Sequence, residues 1–564
     1  RVNAGIDFNN STYDRYSAIG ISNGGQGIGD ARKSMSKSYQ FVNENILDYS
    51  YINRNHKLNT MAGITYQSYV SDGVGGSAIG FITDIFENNN LSAGSKPNPP
   101  TSSYSSSRLI SFIGRINYIF SDKYLLTLSG RYDGSSKFGK NNKFAFFPSA
   151  ALAWRVSKED FMSQVNWISN LKLRTSIGTS GNQAISPYQT LDKITTNVPI
   201  FSTGKTVGFV SSAFSNESLK WETTEQIDIG IDLDLLQDRI GIIADYYKKS
   251  TTNLLLQANL PPSSGYTSSI RNVGKIQNQG FEFSVSYRNL TGAIKSESNL
   301  NLTINRALVK DLGTDVDGNK IQRVDAPIGG GNWFPLFLGK TPFELYGYVI
   351  DGIYQTDDEA IAKEPGSGKK AGDYRFKDVN GDGKINSDDK TIITHMEPKF
   401  TFGINEVVSY KGFELSFQII GSYGNQVVNE FNKYYTALGG KWNVTKKAWD
   451  NRWTGPGSKG TFAAASSHVT SYVTFGEPSS LWVEEGSYLK FKDIRLTYNF
   501  PQQLLSIIKA KGLSIYVSGA NLITITNYPH YDPEASWTSS AVIGWDRGVY
   551  PSSKTIMGGV QVTF

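Results

Sequence analysis

The sequence lacks cysteine altogether and contains only four histidines in 564 residues. The absence of cysteine excludes disulfide scaffolds, thiol nucleophiles and cysteine-ligated metal sites. The histidines, His56, His395, His468 and His530, are far apart in the sequence. A histidine-rich metal site or a histidine-based catalytic triad is therefore not expected, and we predict that the protein is not an enzyme.

An excess of one charge and long apolar runs are also missing. Lysine and arginine number 56 against 50 aspartates and glutamates, and they are interspersed without a basic block. The net charge of +6 in this distribution gives no indication of nucleic-acid binding. No run of about 18 apolar residues is present, so no transmembrane helix is predicted.

Alternation with a period of two residues is the strongest signal in the sequence. In EQIDIGIDLDLL, isoleucine and leucine occupy the odd positions from 227 to 235, and the even positions carry Asp228, Gly230, Asp232 and Asp234. KFAFFPSAALAWRVS and GFEFSVSYR alternate in a similar way. Helical spacing explains none of these segments, whereas a β-strand directs successive side chains to opposite faces. We therefore predict an all-β protein.

The length of the predicted strands indicates a membrane protein. They run for about nine to fourteen residues, whereas strands in globular proteins average about five or six. A transmembrane β-strand needs about nine to eleven residues, with one face toward lipid and the other toward a polar interior. A soluble antiparallel sheet with one wet face is the alternative.

Loop lengths favour the membrane protein. We count about sixteen strands, and single-chain outer-membrane barrels have an even number. Short connections near Asp122, Gln237, Leu290 and Gly412 alternate with long ones at roughly 70–107, 181–220, 250–276, 306–398, 424–486 and 524–554. Short turns lie on the periplasmic side of such barrels and long loops lie outside. The sequence thus predicts a transmembrane antiparallel β-barrel with long extracellular loops.

The stretch DVNGDGKINSDD, residues 378–389, lies in the longest of these loops. It matches a calcium-binding loop, with acidic or amide side chains at alternate positions, a glycine at the turn and a closing carboxylate. We expect one structural calcium ion, and the alternative is an Asx-rich turn satisfied by its own backbone. The predicted ligands are Asp378, Asn380, Asp382, the Lys384 carbonyl group and Asp389, with Asn386 acting through water.

Several segments resemble the SusC/RagA branch of the TonB-dependent outer-membrane transporters. They occur in the order found in that family and are spread across most of the chain, so their combination is far more specific than any one of them. The segments are SNESLKWETTEQIDIGID (215–232), NVGKIQNQGFEFSV (272–285), FELYGYVIDGIYQTDDE (343–359), DYRFKDVNGDGKINSDDK (373–390), SYLKFKDIRLTYNFP (487–501), SGANLITITNYPHYDPE (518–534) and the terminal VQVTF.

The resemblance implies a plugged barrel of about 22 strands, preceded by a TonB-interacting box. With sixteen strands counted, we expect residues 1–564 to be the C-terminal part of the barrel, and the plug domain and first strands to lie outside this chain. The opening residues, RVNAGIDFNN, agree with this expectation, because they already alternate and show no signal peptide.

The resemblance also implies a function and a location. It implies active import of a nutrient, usually a glycan and sometimes a peptide, across the outer membrane of a Gram-negative bacterium. TonB would act through the N-terminal region, and a SusD-like surface lipoprotein would cover the ligand. Pairs of transporter and lipoprotein would associate as dimers in the lipid bilayer.

Aromatic side chains on the long loops are candidate ligand contacts, because rings offer large, rigid surfaces for stacking on sugars. The alternative for each is packing within the loops or contact with the lipoprotein. The candidates are Trp333, Phe334, Tyr434, Tyr435, Trp442, Trp537 and Trp545.

A passive porin is the main alternative function, since a barrel of about sixteen strands leaves an aqueous channel. The long, aromatic and glycine-rich loops favour capture of a ligand over sieving. A surface adhesin that uses the barrel as an anchor is a second alternative, although the sequence shows no long passenger domain.

Overall fold

A computed structural model describes residues 1–21, 27–197, 200–201, 204–205, 208–213, 215–260, 262–266, 268–315, 317–325, 332–436, 438, 443–465, 477–505, 510–534 and 542–564. The chain divides into two compact units. The first comprises Arg1–Trp154, Thr175–Gln226 and Thr251–Val273. The second comprises Arg155–Arg174, Ile227–Ser250 and Gly274–Phe564.

Long β-strands dominate the described chain. The main sheet has 17 strands, of which one is the two-residue strand Lys96–Pro97 and the other sixteen are long. The long strands are β1 (Val2–Ile19), β2 (Ile28–Asn53), β3 (His56–Ile79), β4 (Thr101–Phe120), β5 (Tyr124–Ser135), β6 (Phe144–Arg155), β7 (Ile168–Asn182), β8 (Glu222–Leu235), β9 (Ile240–Thr252), β10 (Lys275–Asn289), β11 (Ile294–Asp311), β12 (Phe400–Tyr410), β13 (Phe413–Tyr423), β14 (Tyr488–Asn499), β15 (Gly512–Thr526) and β16 (Thr555–Thr563).

Smaller elements lie in the connections. The short strands are Lys193–Asn197, Ile200–Phe201, Gly204–Lys205, Gly208–Ala213, Leu255–Asn259, Ser268–Asn272, Arg323–Val324, Leu336–Phe337, Tyr346–Gly347, Ile350–Ile353, Tyr374–Phe376, Thr391–Ile392, Gln426–Asn429, Val483–Glu485 and Trp545–Asp546. The helices are α1 (Asp357–Lys363), α2 (Asn432–Tyr435), α3 (Lys446–Asp450) and α4 (Gln502–Leu505), with six short 3-10 turns. No helix in the described ranges is both long and apolar enough to cross a membrane.

Successive long strands pair antiparallel along the chain. Each strand from β1 to β6 pairs with the next one. The same order runs from β10 to β16, and β7, β8 and β9 belong to the same sheet. This arrangement is the up-and-down topology of membrane barrels, in which neighbouring strands satisfy each other's backbone groups.

The alternation predicted from the sequence places apolar side chains on an exposed face. Phe146 and Leu152 on β6 are more than half exposed, and Ile229 on β8 is 58% exposed. A soluble protein rarely exposes such a continuous set of large apolar side chains. An exposed apolar face that alternates with a polar face along each strand is typical of a transmembrane β-barrel.

Tight turns close the hairpins where short connections were predicted. Asp122 follows β4, Gln237 follows β8 and Lys411 follows β12, and their φ angles are +56°, +58° and +47°. Left-handed residues let these short turns of two to four residues follow the twist of the flanking strands. The six predicted long connections are also present, although several are shorter than predicted. Strands β3 and β4, for example, reduce the predicted loop 70–107 to residues 80–100, because backbone pairing continues through segments with weak alternation.

Buried apolar side chains lie mainly in the connections. In the first unit, Phe138, Leu219 and Trp221 pack together with Phe147. In the second unit, eight buried residues form a larger cluster that is rich in tryptophan. The connections therefore have apolar cores of their own and are not simple surface loops.

We expect Phe283→Arg, on the apolar face near the middle of β10, to lower the free energy of unfolding by about 2–4 kcal/mol, the cost of arginine at the bilayer midplane. Ser284→Arg changes the neighbouring residue on the polar face and should cost far less. Urea unfolding of the intact protein in lipid bilayers measures both effects. Equal losses in the two variants would contradict the assignment of the faces.

Candidate functional site

Ion pairs join β7, β8 and β9 on the polar face of the sheet. Lys172 Nζ and Arg174 Nε, both on β7, each lie 2.9 Å from an oxygen of Asp232 on β8. Arg174 also reaches β9, where its Nη2 atom lies 2.7 Å from Asp245 Oδ2. The aspartates of the alternating motif therefore lie on the polar face, as the period of two predicts.

The predicted calcium loop, residues 378–389, is folded by hydrogen bonds from its own backbone. Asp378 accepts the N–H groups of Gly381 and Gly383, at 2.6 and 2.8 Å. Asp382 accepts the N–H of Lys384 at 2.8 Å. The Gly383 N–H is the main cause that holds the pKa of Asp378 below its usual value, because hydrogen bonds to a carboxylate favour its charged form.

Asp389 joins the two ends of this loop. Its carboxylate is fully buried and accepts the N–H groups of Val379 and Asn386, both at 2.8 Å. Gly381 and Gly383 have φ angles of +77° and +78°, a conformation that glycine adopts without steric cost. The glycines of the motif are thus needed for the turn itself.

The side chains of the loop match calcium in their chemistry. Asp378, Asn380, Asp382, Asp389 and the Lys384 carbonyl group offer the oxygen ligands that calcium takes, and an ionised carboxylate has about four acceptor positions, more than these hydrogen bonds use. Within the described residues, no group of three or more acidic or histidine side chains is arranged to hold a metal ion. Calcium in this loop stays a prediction.

Three of the predicted ligand-contacting rings pack against one another in the second unit. Trp333, Phe334 and Trp545 are almost fully buried, together with Trp482. Ring centroids are 5.1 Å apart for Trp333 and Trp482 and 5.1 Å apart for Phe334 and Trp545. Trp482 was not among the predicted rings, although it lies in the predicted long connection 424–486. This packing stabilises the connections that contribute the rings.

A buried lysine lies beside this ring cluster. Lys433 Nζ is 5.1 Å from the Trp333 ring centroid and 5.3 Å from that of Trp482. The same atom lies 2.6 Å from Glu430 Oε1. The ion pair and the ring faces together offset the free energy that the Lys433 ammonium group loses when it is removed from water. No motif in the sequence predicted this lysine.

The remaining predicted rings lie near or beyond the cluster. Tyr434 and Tyr435 are on α2, and Tyr435 stacks on Phe431 with centroids 5.5 Å apart. Tyr435 is 38% exposed, so part of its surface is accessible to a ligand. Trp442 and Trp537 lie outside the described residues. Stacking on a ligand stays a prediction for all seven rings.

A second buried lysine fixes the last long connection. Lys490, near the start of β14, lies 2.9 Å from Asp532 and also pairs with Glu534. Its side chain is 1% exposed. The pairs tie the connection 527–554 to the sheet. Lys490 is about 40 residues from its partners in the sequence, so patterns of period two or 3.6 do not reveal these pairs.

Comparison with known proteins gives a consistent family. Residues 1–522 match the family described as TonB dependent receptor-like, beta-barrel. TonB-dependent receptor P26 of Formosa agariphila is 35% identical over 576 residues, which cover 99% of this chain and 57% of that protein. TonB-dependent receptor SusC of Bacteroides thetaiotaomicron is 30% identical over 469 residues, which cover 81% of this chain and 44% of that protein. The chain thus spans about half the length of these relatives.

A solved structure supports the same fold. A chain in the structure of the RagAB peptide transporter superposes with a TM-score of 0.81 at 25% sequence identity. The superposition covers 100% of this chain and 60% of that chain. The predicted transmembrane antiparallel β-barrel is therefore confirmed.

We expect Asp232→Asn to lower the free energy of unfolding by about 1–3 kcal/mol, because it weakens two charge-assisted hydrogen bonds. Partial exposure of these side chains favours the lower part of that range. Asp14→Asn is the control, because Asp14 and Lys33 form a pair in which both side chains are nearly half exposed. Denaturant unfolding of the intact protein measures the difference, and equal effects of the two substitutions would count against the network.

Proposed function

Because the chain belongs to the TonB dependent receptor-like, beta-barrel family, we propose that the complete protein imports a nutrient across the outer membrane with energy supplied through TonB. The observation that carries this proposal is the family match, which runs from β1 into β15. The chain itself is an outer-membrane β-barrel of a Gram-negative bacterium. The plug domain and the TonB-interacting box are proposed to lie in the part of the protein outside this chain.

The proposed cargo is a glycan, with a peptide as the alternative. The glycan proposal rests on the aromatic connections, in which Tyr435 offers an exposed ring and rings stack well on sugars. The peptide alternative rests on the similarity to the RagAB peptide transporter. Both cargoes need capture at the outer side, where the long connections lie.

The proposed partner is a SusD-like surface lipoprotein, and pairs of the two proteins are proposed to form dimers. The connection 80–100 presents Ile82 and Ile85, which are 92% and 84% exposed. Asp84 between them accepts hydrogen bonds from Tyr16 Oη at 2.6 Å and from the Ile19 N–H at 3.0 Å. Exposed apolar side chains held in a fixed loop suit a contact with another protein.

Uptake by living cells tests the import proposal. Labelled oligosaccharides and peptides are offered to cells that make the complete protein, with and without TonB and with and without the partner lipoprotein. We expect saturable uptake that stops when TonB is removed, because the barrel alone has no source of energy. Uptake that continues without TonB and rises in proportion to concentration would favour the passive porin.

A matched pair of tyrosine variants tests the role of the loop rings in the same cells. Tyr435→Ala should reduce the uptake of a glycan cargo several-fold. The substitution removes an exposed ring whose stacking on a sugar contributes a binding free energy of about 1 kcal/mol or more. Tyr410→Ala is the control, since this exposed tyrosine lies beside the tight turn after β12. Equal uptake by both variants would exclude Tyr435 as a cargo contact.

We also propose that residues 378–389 bind one calcium ion that orders the connection 312–399. The support is the set of oxygen ligands and the closed loop that Asp389 produces. We expect a dissociation constant on the order of 0.1–1 mM, as in extracellular modules. Asp382→Asn keeps an acceptor for the Lys384 N–H but removes a charge, so it should weaken calcium binding about tenfold.

Calorimetric titration of the intact protein with calcium measures this affinity, and resistance of the loop to protease reports its order. Glu297→Gln, on β11, is the control because its carboxylate lies in a different ion pair. Absence of a binding signal at several millimolar calcium, with unchanged protease resistance, would show that the loop is an Asx-rich turn only.

A further inference from the structure

A cavity of about 360 Å³ lies within the second unit, at the ends of β10, β11 and β12 that carry the long connections. Asn278, Thr303, Asn305 and Thr401 line it from the polar face of these strands. The connection 312–399 supplies much of the wall through residues 341–344 and 396–398, and the last long connection adds Ile543. This volume is at the small end of the range of about 300–1,000 Å³ found for ligand pockets.

Two glutamates line this cavity. Glu344 is 5% exposed and accepts a hydrogen bond from Thr394 Oγ1 at 3.0 Å. Glu397 accepts hydrogen bonds from Asn305 Nδ2 at 2.6 Å and from the Ala307 N–H at 3.2 Å. These donors are all neutral, so they orient the two carboxylates without balancing their charge.

The electrostatics of the cavity favour a positive guest. Burial raises the pKa of Glu344 to about 7, and the charge of Glu397 adds to the effect. Burial also raises the pKa of Glu397. The Arg306 guanidinium lowers that pKa only in part, since it donates to the main-chain oxygens of Pro398 and Lys399. A cation inside the cavity would favour the charged form of both glutamates.

Apolar side chains form another part of the wall. It includes Phe343, Met396 and Ile543. Phe343 has a φ angle of +61°, which is a rare conformation for a bulky residue. In an extended strand, successive side chains point to opposite faces. The left-handed backbone at Phe343 instead lets both Phe343 and Glu344 line the same cavity.

This combination of walls excludes several classes of ligand. An anion would meet two carboxylates, and a neutral sugar would leave their charges uncompensated. A bare divalent cation such as calcium takes about six to eight oxygen ligands at short range, whereas one wall here is apolar. An ammonium group on a flexible apolar stem satisfies both parts, because its head is cationic and its stem packs on apolar surface.

We propose that this cavity binds the lysine side chain of a peptide cargo, with the ammonium group between Glu344 and Glu397 and the stem against Phe343 and Met396. The proposal rests on the import function proposed above and selects the peptide over the neutral glycan as cargo. Asn278 and Thr303 supply polar contacts for the peptide backbone.

Direct binding to the intact protein in detergent tests this proposal. The probe is Nα-acetyl-lysinamide, and the matched control is Nα-acetyl-norleucinamide, which has the same apolar stem without the ammonium group. We expect saturable binding of the lysine probe in calorimetric or NMR titrations and at least tenfold weaker binding of the control. Glu344→Gln and Glu397→Gln should each weaken binding of the lysine probe about tenfold, whereas Glu297→Gln should not.

Thermal unfolding of the variants separates a binding defect from a folding defect. Glu344→Gln keeps an oxygen that accepts the hydrogen bond of Thr394 and removes a buried charge, so this variant should unfold at or above the temperature of the original protein. Glu397→Gln keeps only one of the two oxygens that accept from Asn305 and from the Ala307 N–H, so it should unfold at a slightly lower temperature in a single cooperative transition. Equal affinity for the two probes, or no binding of the lysine probe at several millimolar, would overturn the proposal.

The binding experiment is independent of the import proposal, because it requires neither cells nor TonB. Binding of the lysine probe without energy-dependent uptake of peptides or oligosaccharides would refute the import function and leave the cavity assignment in place. Energy-dependent uptake without binding of the lysine probe would support the import function and refute the cavity assignment.

Discussion

The backbone groups of a membrane-spanning sheet need partners on neighbouring strands, because lipid offers none. The up-and-down pairing of the long strands meets this constraint, and most other features follow from it. Pairing with a period of two places one set of side chains toward lipid and the other on the polar face. Ion pairs such as those of Arg174 form on that polar face, where opposite charges from strands one or two apart in the sheet meet.

The connections obey a different constraint, because they must hold their shape in water without a sheet to support them. They do so with small apolar cores and buried charges in pairs. Lys433 and Glu430 form such a pair within one connection, and Asp532 in the last connection pairs with Lys490 on β14; both nitrogen–oxygen distances are below 3 Å. A buried charge without such a partner is costly. Glu344 is an exception, because its described hydrogen-bond partners are neutral. Its carboxylate therefore has no paired charge among the described residues that line the cavity.

Local patterns were sufficient to predict the strands, the faces and the alternation of short and long connections. EQIDIGIDLDLL shows why, because its apolar and polar residues alternate, so the sequence position of each side chain predicts which face of the strand it lies on. The glycines of residues 378–389 were equally informative, since the turn requires positive φ at Gly381 and Gly383. The loop rings were harder to interpret. An exposed ring that stacks on a ligand and a buried ring that packs on another ring have the same sequence signature, and only the fold separated Tyr435 from Trp333.

The sequence by itself determined the all-β class, the membrane-type strands and the acidic turn, because these depend on residues two to about ten positions apart along the chain. The tertiary structure alone decided which loop rings are buried, which lysines meet which carboxylates, and that Glu344 and Glu397 line one cavity with Asn278. The physical reason is that, apart from the pair of Lys433 with Glu430, these contacts join residues separated by about 40 to 210 positions, and no local period reports contacts over such separations.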